Sequence, residues 1–185
     1  MSKELIYILG LGETLSFYRP NGTPTIGVND INKTHKTDYL VIQDLPSIFS
    51  WERYTNITKN PPKKQVFSQH DVYKDLFPGM FTQLRVIPYQ LGILDTPENK
   101  FNRWELPCSV DSTFLACVVA YRLGFKNIVT HGVDFINHTG LNNRLPVILN
   151  QYDLLKTKLA EKGVNLYCSN QKSKLSEVLT VNYLS

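Results

Sequence analysis

Cysteine is scarce in this sequence, with three in 185 residues. Cys108, Cys117 and Cys168 are odd in number and show no CxxC spacing, so the pattern indicates neither a disulfide framework nor a structural zinc site. We therefore predict that the protein has no structural metal and that it works in a reducing compartment, the cytoplasm.

Long apolar runs are missing as well. No stretch approaches the about 18 consecutive apolar residues that a membrane span needs. The N-terminal run is followed at once by glycines and a glutamate, unlike the cleavage region of a signal peptide. The sequence predicts a soluble protein without a membrane span.

Blocks of like charge are absent too. Lys and Arg number 20 against 16 Asp and Glu, which gives a net charge of +4. The basic residues are scattered, in pairs such as Lys33/Lys36, Lys63/Lys64, Lys156/Lys158 and Lys172/Lys174. This balance suits an anionic ligand such as a nucleotide but does not require nucleic acid. A solvated surface is the simpler interpretation of the lysines.

The sequence does have the composition and the patterning of an α/β domain. Its 42% hydrophobic and 19% charged residues are typical of one compact domain, which we expect to cover residues 1–185. The apolar run 5–9 (LIYIL) stops at Gly10-Leu11-Gly12, as a buried parallel strand does on entering a tight turn. Further strand candidates lie at 25–28, 39–42, 66–67, 86–89, 128–130 and 164–168.

Helical signals alternate with these runs in the second half of the chain. Asp111 or Ser112 can cap a helix over 113–123 that ends at Gly124, and helical periodicity over 145–162 ends at Gly163. This alternation predicts a three-layer α/β fold with a mostly parallel, Rossmann-like sheet and helices on both faces.

The middle of the chain follows another pattern. Residues 45–107 contain seven prolines together with aromatic residues of the kind found on surfaces. We expect few clean helices there, and we interpret the segment as a Pro-rich insertion or lid over the edge of the sheet.

The ends of the predicted strands are where ligands of such sheets bind. Gly10 and Gly12 let the backbone approach a phosphate, although the turn lacks the third glycine of GxGxxG and the lysine of a P-loop. Asn29 and Asp44 each follow a strand and can bind a base or a ribose hydroxyl, and Asp44 can also face Mg²⁺. The alternatives are a turn without a ligand at the glycines, an Asx-turn at Asn29 and a helix cap at Asp44.

The stretch after the 128–130 run carries the remaining chemistry. Asp134 and His138 lie just past the strand, where His138 can act as a general base toward an acceptor hydroxyl while Asp134 orients the loop or a donor. As metal ligands the two would be an incomplete set. His131 lies inside the strand and is interpreted as structural.

The order of these motifs resembles a known superfamily, on the segments GLGETL, GVND, DYLVIQD, SVDSTFLACVVAYRLGFKNIVTHGVDF and LYCSNQKSKL. It is the Rossmann-like superfamily of 6-hydroxymethylpterin diphosphokinase-like proteins and of bacterial sialyltransferases that use CMP-sialic acid. The resemblance implies that Gly10, Gly12 and Thr14 contact phosphate or ribose, that Asn29 binds the nucleotide and that Ser112 contacts its phosphate. In the sialyltransferases of this superfamily the catalytic histidine lies farther along, in an acceptor lid, so the resemblance leaves His138 as a candidate substitute for it.

These observations favour a nucleotide-dependent transferase, which moves a glycosyl group from a nucleotide sugar to a hydroxyl acceptor. A first alternative is Mg²⁺-dependent diphosphoryl transfer from ATP to a pterin-like hydroxymethyl group. A second is a non-catalytic nucleotide-binding or assembly module, and self-association is compatible with each. Modification of a nucleic acid held by Trp51, Tyr54, Lys63 and Lys64 is the least favoured.

Overall fold

The fold is taken from a computed structural model that describes residues 3–88, 90–91, 94, 104–108, 111–136 and 142–182. Its strands are β1 (Lys3–Leu9), β2 (Thr25–Val28), β3 (Tyr39–Ile42), β4 (Gln65–Ser68), β5 (Phe81–Gln83), β6 (Arg85–Pro88), β7 (Glu105–Cys108), β8 (Phe125–His131), β9 (Asn165–Cys168) and β10 (Thr180–Val181). Its α-helices are α1 (Trp51–Lys59), α2 (Val72–Leu76), α3 (Ser112–Arg122) and α4 (Leu145–Glu161).

Eight strands form one sheet in the order β10-β9-β8-β1-β2-β3-β4-β5. Every strand pair in it is parallel, so the strands all end at the same edge. The central strand β1 pairs with β8 and with β2, in the registers Leu9 to His131 and Leu9 to Gly27. Strands β6 and β7 pair separately as a two-stranded parallel sheet.

Side chains on the two faces of the sheet pack into two separate cores. In β1, Ile6 and Ile8 point to the core that holds α3 and α4, whereas Tyr7 and Leu9 point to the core that holds Ile57 of α1 and Tyr73 of α2. This alternation is the strand period of two. The predicted three-layer α/β fold with a parallel Rossmann-like sheet is therefore confirmed.

Two predicted helices begin and end close to the expected residues. Asp111 caps α3 through its side chain, which accepts hydrogen bonds from Thr113 N and Phe114 N. Gly124 and Gly163 follow α3 and α4 with φ of +89° and +68°, the left-handed geometry that glycine adopts without strain. Among the described residues, no helix is both long enough and apolar enough to cross a bilayer.

The expectation of few clean helices between residues 45 and 107 is wrong for α1. Ser50 accepts a hydrogen bond from Arg53 N and begins the helix, and Pro61 comes after its end, so the prolines flank this helix rather than break it. The strand candidate at 66–67 is confirmed by β4, and β4 and β5 extend the main sheet beyond β3, so this part of the segment belongs to the sheet rather than lying over its edge. Residues 89, 92–93 and 95–103 lie outside the described residues, and a lid role for the segment stays a prediction.

Candidate functional site

A cleft of about 630 Å³ lies at the carboxyl edge of the sheet. Its walls come from the turns after β1, β2, β3 and β8, from α1 and from the start of α3. Six of the residues predicted from sequence line it: Gly10, Gly12, Asn29, Asp44, Ser112 and Asp134. The structure thus brings together side chains and turns that are up to 124 residues apart (Gly10 to Asp134).

Two predicted site residues are not in that lining. Thr14 is 4% exposed and directs its hydroxyl to Asp134, so the structure does not bring it to the cleft. His138 lies outside the described residues, and its role as a general base stays a prediction.

The glycine turn after β1 is packed tightly on the turn after β8. Gly10 N donates to His131 O at 2.8 Å, and Gly12 N donates to Gly132 O at 2.7 Å. A Cβ at position 12 would lie 2.5 Å from Asp134 Oδ2 and 2.8 Å from Gly132 O. Both distances are shorter than a van der Waals contact. The glycine at position 12 is therefore required by the contact between the two turns.

Asp134 links the turn after β8 to the turn after β1 through hydrogen bonds. Its carboxylate, 3% exposed, accepts hydrogen bonds from Thr14 N at 2.7 Å and from Thr14 Oγ1. Its backbone oxygen accepts from Lys174 N at 2.9 Å, and Ser173 Oγ donates to Val133 O at 2.6 Å. Because each oxygen of its carboxylate already accepts a hydrogen bond from Thr14, Asp134 is suited to position the turn.

Asn29 lines the cleft and carries a side-chain acceptor without a described partner. Its backbone has a φ of +53°, a conformation that Asn tolerates better than most residues. Its side-chain Oδ1 is buried and has no hydrogen-bond partner within the described structure, so the alternative of an Asx-turn at this position is wrong. A buried oxygen without a donor costs stability, and a ligand N–H or O–H group in the cleft would satisfy it.

The start of α3 forms another wall. Asp111 accepts hydrogen bonds from Phe114 N at 3.1 Å and from Tyr152 OH at 2.5 Å. Burial and the nearby Asp111 raise the pKa of the Tyr152 phenol well above its usual range. The sequence left Asp111 and Ser112 as alternative caps of α3, and the structure identifies Asp111 as the cap. The half-exposed Ser112 hydroxyl is therefore not needed to cap the helix.

Asp44 lies half-buried at the end of β3. Burial raises the pKa of its carboxyl, while the charges of Arg53 and His70 act in the opposite direction and that of Asp111 adds to the rise. Its backbone oxygen accepts a hydrogen bond from Tyr73 OH at 2.9 Å.

Arg53 is the residue of the cleft that sequence reasoning missed. It is the only cation among the described lining residues. Its Nε and Nη2 donate to Asp30 Oδ1 at 2.9 and 2.7 Å, and its guanidinium lies 5.1 Å from the centre of the Phe49 ring. A prediction of α1 would have placed Arg53 beside the strand ends, but that helix was not predicted from the sequence.

His131 is the last residue of β8 and is buried next to the glycine turn. It is 7% exposed and packs its ring edge-on against Tyr7 and Tyr18, at centroid distances of 4.8 and 5.1 Å. Burial lowers its pKa to about 4 from 6.5, so the imidazole is neutral at pH 7, in keeping with a structural role.

The donor set for a divalent cation is incomplete in the described part of the chain. No group of three or more His, Cys, Asp or Glu side chains there could hold a metal ion. Asp44 and Asp111 both line the cleft, but Asp111 is occupied by its cap and by Tyr152.

Comparison with solved structures identifies the same fold in glycosyltransferases. The sialyltransferase CstII from Campylobacter jejuni, in complex with the substrate analogue CMP-3FNeuAc, aligns with 96% of this chain and 85% of its own at 16% identity and a TM-score of 0.60. The alpha-2,3-sialyltransferase from Campylobacter jejuni, in apo form, aligns with 97% of this chain and 80% of its own at 19% identity and a TM-score of 0.60.

A third similar structure comes from a larger protein. The MAf glycosyltransferase from Magnetospirillum magneticum AMB-1 aligns with 96% of this chain but 32% of its own, at 12% identity and a TM-score of 0.58. No protein-family model and no curated protein sequence matches this chain. At these identities the likeness establishes the fold, and the structural neighbours that share it include sialyltransferases and a further glycosyltransferase.

Proposed function

We propose that this protein transfers a glycosyl group from a nucleotide sugar to a hydroxyl acceptor. The observation that carries the proposal is the convergence of Gly10, Gly12, Asn29 and Ser112 on one cleft at the carboxyl edge of a parallel sheet. That edge is where open α/β sheets bind nucleotides.

Two of these residues carry side-chain groups that a nucleotide can use. Gly10 N and Gly12 N already donate to His131 O and Gly132 O, so the glycine turn would contribute backbone that lines the site of a phosphate rather than hydrogen-bond donors. The Ser112 hydroxyl can donate to the same anion, and the buried Asn29 Oδ1 can accept from the ribose or the base. Arg53 pairs with Asp30 through Nε and Nη2, and its remaining guanidinium N–H groups can donate to an anionic ligand.

The acidic side chains of the cleft differ in how their charge is met. Asp134 and Asp111 accept hydrogen bonds from backbone N–H groups, which stabilise the two carboxylates. Glu13 is exposed, and its charge is weakened by solvent. Asp44 remains as the carboxylate without such partners.

The similar structures support CMP as the first nucleotide to test. Structures of CstII from Campylobacter jejuni were solved with CMP and with CMP-3FNeuAc, and the present chain shares their fold. The diphosphokinase half of the resemblance gains no support from these neighbours or from the described carboxylates.

The experiment is a thermal-shift panel of CMP, UDP, GDP and ATP, each with and without Mg²⁺. A nucleotide at 100 times its Kd stabilises a protein by about 2.7 kcal/mol. Stabilisation by CMP or UDP without Mg²⁺ supports glycosyl transfer, whereas stabilisation by ATP that depends on Mg²⁺ supports diphosphoryl transfer. Release of the nucleotide from its sugar then separates an enzyme from a non-catalytic binding module.

A further inference from the structure

The three aspartates of the cleft differ in what holds their carboxylates. Asp134 accepts from Thr14, and Asp111 accepts from Phe114 N and Tyr152 OH. No comparable donor is present at the Asp44 carboxylate anywhere in the described chain, where the hydrogen bond to this residue is made to its backbone oxygen. Its lone pairs are therefore available to a ligand.

The main chain at Asp44 is nonetheless held firmly. Gln69 Nε2 and His70 Nε2 lie 3.1 and 3.0 Å from Gln43 O, and the buried Tyr73 donates to Asp44 O at 2.9 Å. Three side chains thus fix two consecutive carbonyl groups. The backbone that carries the Asp44 carboxylate is therefore fixed by hydrogen bonds, while the carboxylate oxygens stay open to a ligand.

The location of Asp44 fits the side of the cleft from which an acceptor would approach. The glycine turn follows β1, and Asp44 follows β3, two strands away, which corresponds to about 10 Å at the usual strand spacing. If the donor phosphate lies at the glycine turn, a nucleophile that displaces it enters from the opposite side. The residues just after Asp44 include the exposed apolar side chains of Leu45, Ile48 and Trp51, a surface suited to the apolar face of a sugar.

We propose that Asp44 is the general base of the transfer reaction, an inference that rests on the proposed function. The Asp44 carboxylate takes the proton of the acceptor hydroxyl as the acceptor oxygen forms its bond to the anomeric carbon. The bond between that carbon and the phosphate oxygen breaks, and its electron pair leaves with the nucleotide. Asp44 then returns the proton to water.

The charges that face Asp44 are compatible with this role. They are Arg53 on α1, His70 before α2 and Asp111 before α3. Burial raises the pKa of the Asp44 carboxyl, and the electrostatic effects of Arg53 and His70 act in the opposite direction. A carboxylate with a raised pKa is a stronger proton acceptor.

The test compares Asp44→Asn and Asp44→Glu with Asp71→Asn. Asp71 is exposed at the start of α2, where its side chain caps nothing, so it controls for the loss of one surface charge. Calorimetry with CMP should give affinities within about threefold of each other for all four proteins. Release of CMP from CMP-N-acetylneuraminic acid, or of whichever nucleotide binds from its own sugars, should fall by about 10²- to 10⁴-fold in kcat for Asp44→Asn alone.

The pH profile separates a base from a merely structural residue. The wild type should lose kcat as Asp44 is protonated on the acid side, and this limb should vanish in Asp44→Asn and persist in Asp44→Glu. If the melting curve shows that Asp44→Asn does not fold, the test uses Asp44→Glu. An acid limb of its kcat profile that is displaced from the wild-type pH supports the inference. An acid limb at the wild-type pH contradicts it.

Other outcomes overturn the inference in distinguishable ways. Turnover by Asp44→Asn near the wild-type rate, with the limb abolished by His138→Ala instead, would give the base role to His138. A much weaker CMP affinity with unchanged kcat would place Asp44 against the nucleotide, as the sequence alone predicts. A wild type that binds none of the four nucleotides, or that releases a bound one from none of its sugars, would remove the proposed function and this inference with it.

Discussion

Asp134 and Thr14 lie 120 residues apart in the chain and are joined by two hydrogen bonds, from the Thr14 backbone N–H and from its hydroxyl to the two oxygens of the Asp134 carboxylate. Both residues are buried. The turn after β1 and the turn after β8 therefore act as one unit, and the shape of the cleft depends on a contact that neither turn makes by itself.

Replacement of Asp134 by Ala should weaken both the fold and nucleotide binding. The Thr14 N–H and hydroxyl would lose their buried acceptor, which costs about 1–3 kcal/mol for each unsatisfied group. Urea denaturation measures the loss, and Glu177→Gln, which removes an exposed partner of Lys174, is the matched control. Equal stability of Asp134→Ala and the control would contradict the positioning role.

Replacement of Gly12 by Val should destabilise the domain as well as weaken nucleotide binding. From the sequence, only binding is expected to suffer, because a side chain would block the approach of a phosphate. The structure corrects this expectation, since a Cβ at position 12 would lie 2.5 Å from Asp134 Oδ2, and overpacking of this kind costs about 1–3 kcal/mol. The control is Gly22→Asn, where the Cβ meets nothing and φ is +85°. A Gly12→Val melting temperature no lower than that of the control would argue that the turns can separate freely.

Replacement of Asn29 by Gly should affect the ligand more than the fold. Glycine retains the left-handed backbone at this position and deletes the buried Oδ1, which no described donor satisfies. We expect stability to change by less than about 1 kcal/mol and CMP affinity to fall about tenfold or more, which is the typical loss of one hydrogen bond to a ligand. Calorimetry and melting curves of the same samples measure the two effects. Unchanged affinity would show that this oxygen does not face the nucleotide.

Acid should destabilise the domain through His131. Its pKa is lowered to about 4 in the folded protein from 6.5, so between these values the unfolded chain binds the proton and the folded chain does not. Stability from this group is complete above pH 6.5 and is lost as the pH falls through that window, by about 3 kcal/mol in all. His131→Phe keeps an aromatic ring against Tyr7 and Tyr18 and should flatten the pH dependence. Parallel pH dependences for the two proteins would contradict the buried, neutral state.

Local signals predicted the elements with the strongest patterns. Strand β1 follows from a continuous apolar run that stops at Gly10, and α3 follows from an acidic cap and a terminal glycine. Helix α1 was missed because its flanking prolines suggested loops and because Ile57 is its one buried residue. Arg53 was missed with it.

The composition of the site was partly predictable because Gly10, Gly12, Asn29, Asp44 and Asp134 follow strands and Ser112 begins a helix. The hydrogen-bond partners of these residues could not be predicted. Asp134 meets Thr14 because β8 pairs with β1, and no local sequence pattern indicates a contact across 120 residues. The orphan Oδ1 of Asn29 likewise depends on how its neighbours pack. Periodicity predicts the faces of strands and helices but does not predict which strand ends become neighbours.

The most direct measurement is an NMR titration of the isotope-labelled protein with CMP, read at the backbone amides. The account predicts the largest shift changes at Gly10, Gly12, Asn29 and Ser112, which line one cleft, with little change at the distant edge strand β10. Shift changes confined to other surfaces, or none with CMP, UDP, GDP or ATP, would contradict the claim that this cleft binds the nucleotide of a sugar donor.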